Sequence, residues 1–554
     1  MSVTTRLLTT CSVLSPVVSR NIYIAPVFQQ QFKHSQITKT KDVLARRSTL
    51  RKQPISSLTD LTNYKNCPIF MPNLGTPDNL KTVFMESSTD VAELEKDLEF
   101  AQISKVLAEF LVDDRDNEYQ FESDHTMGKS RRISRKRSMN KQKYKAMRPW
   151  RPVGTGTTST NLETHFVIKI LSYNILAQNL LEMHKYLYME HDKTALVWEK
   201  RMILVQEEIL KAEANVICLQ EVLCDHLEEF LVVFKKSGYD YIYKQRTNDK
   251  RDGLLLLYRA NQLKLVEHVQ VELYQPDIDI LNRDNVAIVA KFSLVESPET
   301  NFIISTTHLL YNPRRNDVRL AQTQLLFAEL ERLAFVKCTK KGSSYLPIIL
   351  CGDFNLQPHT GVYRFITEGT FEFKGRNRNL EPALLCGLGN SLIPPSLLIT
   401  DNCEHYNVLM DRMRGRAETS EDVELIDEDN DHSKSHVKST ESMENKVNPK
   451  TFECQKVKVV EGRYAKFSSG SLTHPFRLNS IYKHVNNDNE SEATTHQGEW
   501  VTVDYIFYSG VEPLTKYNLP TIAECLTLPT IPNHVVGSDH LCLGASFRLK
   551  KRKR

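Results

Sequence analysis

The feature that most constrains the fold of this chain is an apolar run that ends in two polar side chains. Residues 346–351 are nearly all apolar, and Gly352, Asp353, Phe354 and Asn355 follow them directly. This pattern predicts a buried strand with a carboxylate and a carboxamide at its exposed end. Residues two apart in a strand lie on the same face, so Asp353 and Asn355 should point in the same direction. Such a pair suits a hard metal ion or a phosphoryl oxygen, although a strand that simply ends in a turn would show the same residues.

Other segments repeat this pattern of an apolar strand with an isolated polar residue at or near its end. Their polar residues are Asn174, Gln220 with Glu221, His308, Asp504, and the run Ser538, Asp539 and His540. A buried Asp, Glu or His without a partner destabilises a fold. We therefore expect these side chains to meet and to satisfy one another around one common site.

The hydrophobic pattern from residue 165 onward predicts short strands that alternate with amphipathic helices. Helices are predicted at 195–212, 225–237 and 318–335, and strands at 240–245, 252–258, 264–269, 286–292 and 302–308. This alternation is typical of an α/β fold in which mixed sheets are covered by helices.

The combined motifs resemble those of the endonuclease/exonuclease/phosphatase superfamily. More narrowly, residues 171–178 and 307–322 resemble the carbon-catabolite-repressor-type RNA nucleases. Within that group, residues 311–315 and 502–509 are most similar to the Angel proteins. The resemblance covers residues 165–549 and implies a four-layered α/β sandwich, in which two packed mixed β-sheets are flanked by helices.

The resemblance also implies a divalent metal ion, and we expect Mg²⁺, with Mn²⁺ as the alternative. The expected metal ligands are Glu221, Asn174 and Asp539. The expected catalytic residues are His308, Asp353, Asn355, Asp504 and His540. The residues expected to bind substrate are Asn285, Asn312 and Arg314. One-metal and two-metal schemes both fit this set.

Each expected catalytic residue has a role in phosphate ester hydrolysis. Asp504 should hold the tautomer of His540, and His540 should contact the phosphate or activate water. Asp353 should either bind metal or align the attacking water. Asn355 should donate to a phosphate oxygen, and His308 should balance the negative charge of the transition state.

The expected reaction is metal-dependent hydrolysis of phosphodiesters at RNA 3′ ends, in mRNA or other RNA processing. Two reactions stay open: 3′-to-5′ removal of nucleotides from poly(A), and hydrolysis of a terminal 2′,3′-cyclic phosphate. An aromatic wall that stacks the terminal bases would distinguish them, and Tyr311, Phe476 and Tyr505 are the candidates. The alternative from another class is an RNA- or translation-factor-binding protein with a vestigial nuclease site. Because every expected polar position is retained, the enzyme is favoured.

Composition limits the class of protein and its partners. With 554 residues, the chain is long enough for one large domain plus extensions. No apolar run has the length of a membrane span, so we expect no membrane association. The resemblance implies RNA as the partner, and we expect a monomer. The 11 cysteines are scattered and include no Cys-x-x-Cys pair, which favours reduced thiols over disulfides or a zinc site.

Four segments outside the catalytic motifs have biased compositions. Residues 1–41 contain no acidic residue, which predicts either a mitochondrial presequence or a disordered tail. Residues 42–160 are predicted to be a largely disordered N-terminal extension with a basic block at 129–151, and residues 550–554 form a basic tail. Both basic segments suit phosphate contact or a nuclear address. The acidic stretch 414–450 is predicted to be a disordered insertion and a candidate binding site for a protein partner. We expect a cytoplasmic or mitochondrial location, with the nucleus as an alternative.

Overall fold

The computed structural model describes residues 141–154, 161–339, 342–383, 386–417, 455–460, 463–486 and 488–552. The predicted targeting segment 1–41 and most of the N-terminal extension lie outside the described residues. In the part of the chain that is described, no helix is long and apolar enough to cross a membrane.

Twenty-one strands are present among these residues. In chain order they are β1 (Trp150–Pro152), β2 (His165–Asn174), β3 (Val216–Leu223), β4 (Tyr239–Gln245), β5 (Asp252–Arg259), β6 (Leu263–Glu272), β7 (Val286–Leu294), β8 (Asn301–His308), β9 (Phe335–Thr339), β10 (Gly342–Tyr345), β11 (Ile348–Asp353), β12 (Thr370–Glu372), β13 (Gln455–Val460), β14 (Arg463–Phe467), β15 (Ser471–Thr473), β16 (Asn479–Ser480), β17 (Thr495–His496), β18 (Trp500–Val501), β19 (Asp504–Ser509), β20 (Glu512–Tyr517) and β21 (Leu543–Lys550).

The helices of the described residues lie between these strands. The α-helices span 141–147, Gln178–Met183, Trp198–Lys211, Leu227–Lys236, Asn316–Ala334, Gly361–Glu368, Tyr406–Ala417 and Ile522–Cys525. Short 3₁₀ helices span Lys185–Tyr188, Lys193–Ala195, Cys224–His226 and Pro395–Leu397. The three helices predicted from the sequence are thus confirmed, to within three residues at each end.

Two mixed sheets hold the domain together. The first has the strand order β1-β20-β21-β2-β3-β5-β4, and the second has the order β16-β19-β11-β8-β7-β6. Each sheet contains one parallel pair near its centre, β2 with β3 in the first and β8 with β11 in the second. The carboxyl ends of parallel strands lie at the same edge of a sheet. The topology therefore gathers the polar ends of four apolar strands into two pairs.

The two sheets pack face to face and are covered by helices on their outer faces. Alternation along β8 shows this arrangement: Ile304 lies in the core between the sheets, and its neighbour Ile303 packs in the core that includes the helix Asn316–Ala334. The helices Trp198–Lys211 and Leu227–Lys236 cover the outer face of the first sheet. Strands covered on both faces are continuously apolar, which explains why the sequence shows unbroken apolar runs. The predicted four-layered sandwich is confirmed.

The packed structure begins before residue 165, where the sequence motifs placed its start. Tyr144 and Arg148 are buried, and Trp150 opens β1, which pairs with β20. The Arg148 guanidinium donates to the carbonyl oxygens of Asn518 and Cys542. The last residues of the basic block 129–151 therefore belong to the domain, where carbonyl groups accept hydrogen bonds from the buried Arg148 guanidinium.

Two other boundaries also differ from the compositional expectation. The helix Tyr406–Ala417 continues four residues into the acidic stretch 414–450, and residues 418–450 lie outside the described residues. At the carboxyl end, β21 runs to Lys550, and the Lys551 ammonium lies 2.9 Å from a carboxylate oxygen of Glu296. Part of the basic tail 550–554 is thus held against the domain.

Candidate active site

The polar ends of the two parallel strand pairs meet at one edge of the sandwich. Asn174 ends β2 and Asp353 ends β11, one in each sheet. The Asn174 amide donates to Oε1 of Glu221 at 2.9 Å and to Oδ2 of Asp353 at 3.1 Å. One buried side chain therefore joins the two carboxylates across the sheets.

Glu221 reaches the site because β3 is irregular at this point. The pairing of β3 with β5 shifts register between Leu219 and Val222, and Glu221 has a φ of +60°. A bulge of this kind redirects a side chain and is frequent beside active sites. The Glu221 carboxylate also accepts the Ala177 N–H at 3.0 Å. Burial, together with the charges of nearby carboxylates, raises the pKa of Glu221 to about 7.

The end of β11 depends on a glycine. Gly352 has a φ of +142°, and a Cβ atom there would lie 2.0 Å from the Thr307 carbonyl oxygen of β8. Glycine is therefore required where β8 and β11 approach most closely. The next residue, Asp353, accepts the Asn355 N–H at 2.9 Å, and burial with the charge of Asp504 raises its pKa. The Asn355 amide donates to the Leu309 carbonyl at 3.0 Å and lines the cavity.

His540 and Asp504 form a buried pair. Nδ1 of His540 lies 2.9 Å from Oδ2 of Asp504, and its Nε2 lies 3.8 Å from Oδ2 of Asp353. Burial favours the neutral imidazole, but the charges of Asp504, Asp353 and Asp539 outweigh burial and raise the pKa of His540 well above its usual value. His540 is therefore a cation among carboxylates. His308, with Nε2 3.5 Å from Oδ2 of Asp353, has its pKa lowered by burial and is neutral.

The remaining predicted ligand, Asp539, lies in the same cavity. It is buried, and its Oδ2 accepts the Tyr188 hydroxyl at 2.8 Å. Its neighbour Ser538 donates to the carbonyl oxygen of Asn174 at 2.6 Å, which fixes the loop against the end of β2.

The site contains a donor set that fits a divalent cation. Ligand atoms of Asp353, Asp504 and His540 lie within 4.8 Å of one another. That grouping is compact because of the hydrogen bond between Asp504 and His540, in which the two charges offset each other. Two buried carboxylates, Asp353 and Asp539, and the partly buried Glu221 then remain around one cavity, and a hard divalent cation with oxygen ligands would neutralise their charge. Oδ1 of Asn174 accepts the Leu176 N–H at 3.0 Å, so its amide nitrogen faces the carboxylates and positions them.

A cavity of about 460 Å³ opens onto these groups. Its catalytic end contains Glu221, His308, Asp353, Asn355 and Asp539. The other walls come from residues 176–188, from 309–311, and from Arg246, Lys250 and residues 282–285. Two aromatic side chains of these walls are largely exposed, Tyr186 at 66% and Tyr311 at 58%.

The structure separates the expected substrate-binding residues from one another. Asn285 lines the cavity, but its amide donates to the His308 carbonyl at 3.0 Å and accepts from Gln322 at 2.8 Å, so it holds the end of β8. Asn312 and Arg314 are exposed and are not part of the cavity wall. They belong to a local turn in which the Asn312 side chain accepts a hydrogen bond from the Arg314 N–H.

Of the three aromatic residues considered for base stacking, only Tyr311 is at the cavity. Phe476 is 5% exposed and Tyr505 is fully buried, and both belong to the core outside the second sheet. Tyr186 was missed, because it lies among other aromatic and apolar residues (Leu187, Tyr188 and Met189) and belongs to none of the strand-end motifs.

Arg201 is a second residue that the sequence motifs missed. It is fully buried and donates to the carbonyl oxygens of Ile175, Leu176 and Gly537, at 2.8–3.0 Å. These bonds tie the loop after β2 to the loop that carries His540. A signal was present in the sequence, since Arg201 lies one turn after Trp198 on the apolar face of its helix.

Comparison with known proteins agrees with this geometry. The family model "Endonuclease/Exonuclease/phosphatase family" matches residues 171–540. Human protein angel homolog 2 is 32% identical over 425 residues, which cover 70% of this chain and 70% of that protein. Protein angel of Drosophila melanogaster is 29% identical over 426 residues, covering 74% of this chain and 90% of that protein.

A solved structure extends the similarity to three dimensions. The crystal structure of ANGEL2, a 2′,3′-cyclic phosphatase, is 31% identical, covers 73% of this chain and 98% of its own, and has a TM-score of 0.56. A second ANGEL2 structure, in complex with adenosine-2′,3′-vanadate, matches over the same shares with a TM-score of 0.55. The family match spans every expected site residue from Asn174 to His540. The chain therefore belongs to the endonuclease/exonuclease/phosphatase family, as an Angel-like phosphoesterase.

Proposed function

We propose that this enzyme hydrolyses the 2′,3′-cyclic phosphate at the 3′ end of RNA. The observation that carries the proposal is the match over 98% of ANGEL2, a 2′,3′-cyclic phosphatase, combined with the cluster of Glu221, His308, Asp353, Asp504 and His540. The cavity beside this cluster is large enough for a terminal nucleotide.

We propose Mg²⁺ as the metal, with Mn²⁺ as the alternative, held by the carboxylates of Glu221 and Asp539. These oxygen ligands suit both ions. When bound, the ion would act as a Lewis acid that offsets the charge on the phosphoryl oxygens.

The side chains of the site divide the proton transfers between them. Asp353 is proposed to accept a proton from the attacking water, because it is buried among groups that orient it. His540 is proposed to donate its Nε2 proton to the ribose oxygen that leaves, while Asp504 retains the proton at Nδ1. The water oxygen thereby forms a bond to phosphorus as the bond to one ribose oxygen breaks. The product is an RNA with a terminal phosphate monoester.

Two neutral groups complete this arrangement. His308, whose pKa is lowered by burial, can donate a hydrogen bond to a phosphoryl oxygen without adding charge. Asn355 uses one amide hydrogen on the Leu309 carbonyl, so its second hydrogen is available to the phosphate. Both groups face the cavity.

The second candidate reaction is stepwise removal of nucleotides from a poly(A) 3′ end. It cleaves the same kind of bond and uses the same residues. The observation that favours it is the pair of exposed rings, Tyr186 and Tyr311, because aromatic rings stack successive bases of single-stranded RNA without regard to sequence.

The deciding experiment uses two RNAs that are labelled at the 5′ end and identical except at the 3′ terminus. One ends in a poly(A) hydroxyl and the other in a 2′,3′-cyclic phosphate, and each is incubated with the protein and Mg²⁺. Opening or loss of the terminal phosphate at constant length supports the proposal. A ladder of shortened products supports the exonuclease. No reaction on either RNA, with RNA binding retained by Glu221→Gln, would instead support an RNA-binding protein with a vestigial site.

The cellular location is a separate proposal. The acid-free composition of residues 1–41 supports a mitochondrial presequence, and the basic block 129–151 supports a nuclear address as the alternative. A fluorescent protein fused to residues 1–41 tests the first: a diffuse cytosolic signal would end it.

A further inference from the structure

Three basic side chains line the active-site cavity. Arg246 and Lys250 belong to the turn between β4 and β5, and Arg283 belongs to the connection between β6 and β7. They share the cavity with Glu221 and Asp353. The cavity therefore has an acidic catalytic end and a basic rim, defined as Arg246, Lys250 and Arg283.

The basic rim is fixed to the catalytic strand. Asp284 accepts hydrogen bonds from the side chains of Thr247, at 2.8 Å, and Asn248, so the two loops are joined. The next residue, Asn285, donates to the carbonyl oxygen of His308. The position of the rim relative to His308 is thus set by side-chain hydrogen bonds.

The hydrogen-bonding capacity of the rim is only partly used. Arg246 pairs with the buried carboxylate of Asp252 at 2.6 Å through Nη2, but its buried Nε has no acceptor. Within the described ranges, neither Lys250 nor Arg283 has a carboxylate oxygen within 4.0 Å. The Arg283 guanidinium also donates to the carbonyl oxygen of Asn282. Lys250 and Arg283 therefore line the cavity as two cations without a carboxylate partner among the residues that the structure describes, an arrangement that suits an anion.

An anion at the rim would be distinct from the phosphate that reacts. The proposed function already assigns the reacting phosphate to His308, His540 and Asn355. An RNA 3′ end carries a second phosphate, the diester on the 5′ side of its last nucleoside, whereas a nucleoside 2′,3′-cyclic phosphate has none. On the basis of the proposed function, we propose that the basic rim binds this second phosphate, so that the enzyme selects RNA oligomers over mononucleotides.

The test compares adenosine 2′,3′-cyclic phosphate with the dinucleotide ApA that ends in a 2′,3′-cyclic phosphate. For the wild-type protein, kcat/KM should be about tenfold or more higher for the dinucleotide, since a charge-assisted phosphate contact contributes at least this factor. In the double variant Lys250→Ala/Arg283→Ala, the ratio should fall to about one, because the charge of the remaining rim residue, Arg246, is already offset by Asp252. Arg246 is left in place, because its removal would leave the buried Asp252 unpaired.

A matched control removes the same charge elsewhere. Lys200 and Lys264 are exposed and lie outside the cavity wall, so Lys200→Ala/Lys264→Ala should keep the wild-type ratio. Raising KCl should reduce the preference of the wild type and of this control, but not of the rim variant. If the double variant is unstable, Lys250→Glu, at an exposed position, provides the same test.

The outcomes separate the two proposals. A wild type that hydrolyses both substrates with equal kcat/KM, or a preference that survives in the rim variant, would overturn the role of the rim while leaving the cyclic phosphatase intact. A wild type that hydrolyses neither substrate would overturn the proposed function and, with it, this inference.

Discussion

Replacement of Asp504 by Asn should remove most of the activity without removing the fold. The substitution keeps the volume of the side chain and replaces the carboxylate that holds His540. Both side chains are nearly inaccessible, and their hydrogen bond measures 2.9 Å. At this distance two unit charges attract by about 6 kcal/mol if the effective dielectric constant is about 20, and this attraction raises the pKa of His540. The imidazole of the variant therefore loses the largest interaction that stabilises its protonated form.

The amide also changes which nitrogen of His540 carries the remaining proton. An Asn side chain can donate to Nδ1, which moves the proton to the other nitrogen, and this exchange in buried His–Asp pairs lowers kcat by about 10²–10⁴-fold. We expect a loss of this size for hydrolysis of an RNA 2′,3′-cyclic phosphate. Thermal unfolding of the same preparation checks that the variant is folded.

The chain supplies a matched control for this variant. Asp192 and His534 form a second Asp–His pair, with 2.7 Å between Oδ2 and Nε2, but the Asp192 side chain is 53% exposed. Exposed ion pairs contribute about 0–1 kcal/mol, and this one lies outside the active-site cavity, so Asp192→Asn should retain the wild-type kcat. A folded Asp504→Asn protein that keeps more than about one third of the wild-type kcat would refute the reasoning, because the loss expected of proton transfer is far larger.

Three further predictions concern stability, metal and pH. Gly352→Ala should lower the free energy of unfolding in urea by about 3 kcal/mol or more, because its Cβ would collide with the Thr307 carbonyl. Gly238→Ala, with open space around it, should lower this free energy by about 1 kcal/mol. Equal losses in the two variants would contradict the close approach of the strands. EDTA should abolish activity. Glu221→Gln should reduce the increase in melting temperature caused by Mg²⁺ and should raise the half-saturating Mg²⁺ concentration about tenfold or more. An unchanged response to Mg²⁺ would show that Glu221 is not a metal ligand. Burial lowers the pKa of His474 to about 4. The contribution of His474 to the free energy of unfolding should therefore be complete above about pH 6.5 and should decrease by about 3 kcal/mol as the pH falls to 4. A His474→Asn protein with an unchanged pH dependence would contradict this origin.

The sequence predicted the strands of the site well for a physical reason. Strands covered on both faces must be apolar throughout, so each polar residue that interrupts them is visible against its neighbours. Asp353, His308 and Asp504 were found in this way, and the structure brings all three together. The requirement that buried charges be paired then correctly predicted a common site.

The roles of residues in loops were harder to predict from the sequence. Asn312 and Arg314 follow His308 closely in the sequence, but the turn that contains them faces solvent. Asn285 is held by Gln322 and supports a strand end. The direction of a loop depends on contacts with distant residues, and no local pattern encodes them.

The amino-acid sequence by itself determined the class of fold, the strands and the chemistry carried at their ends, because burial imposes a periodic polarity that each strand records locally. Only the tertiary structure decided which of these polar groups meet. The bulge that turns Glu221 inward, the amide of Asn174 that joins two sheets, and the basic rim beside His308 all depend on residues far apart in the chain. Their positions follow from the packing of the two sheets, and packing is a property of the whole domain.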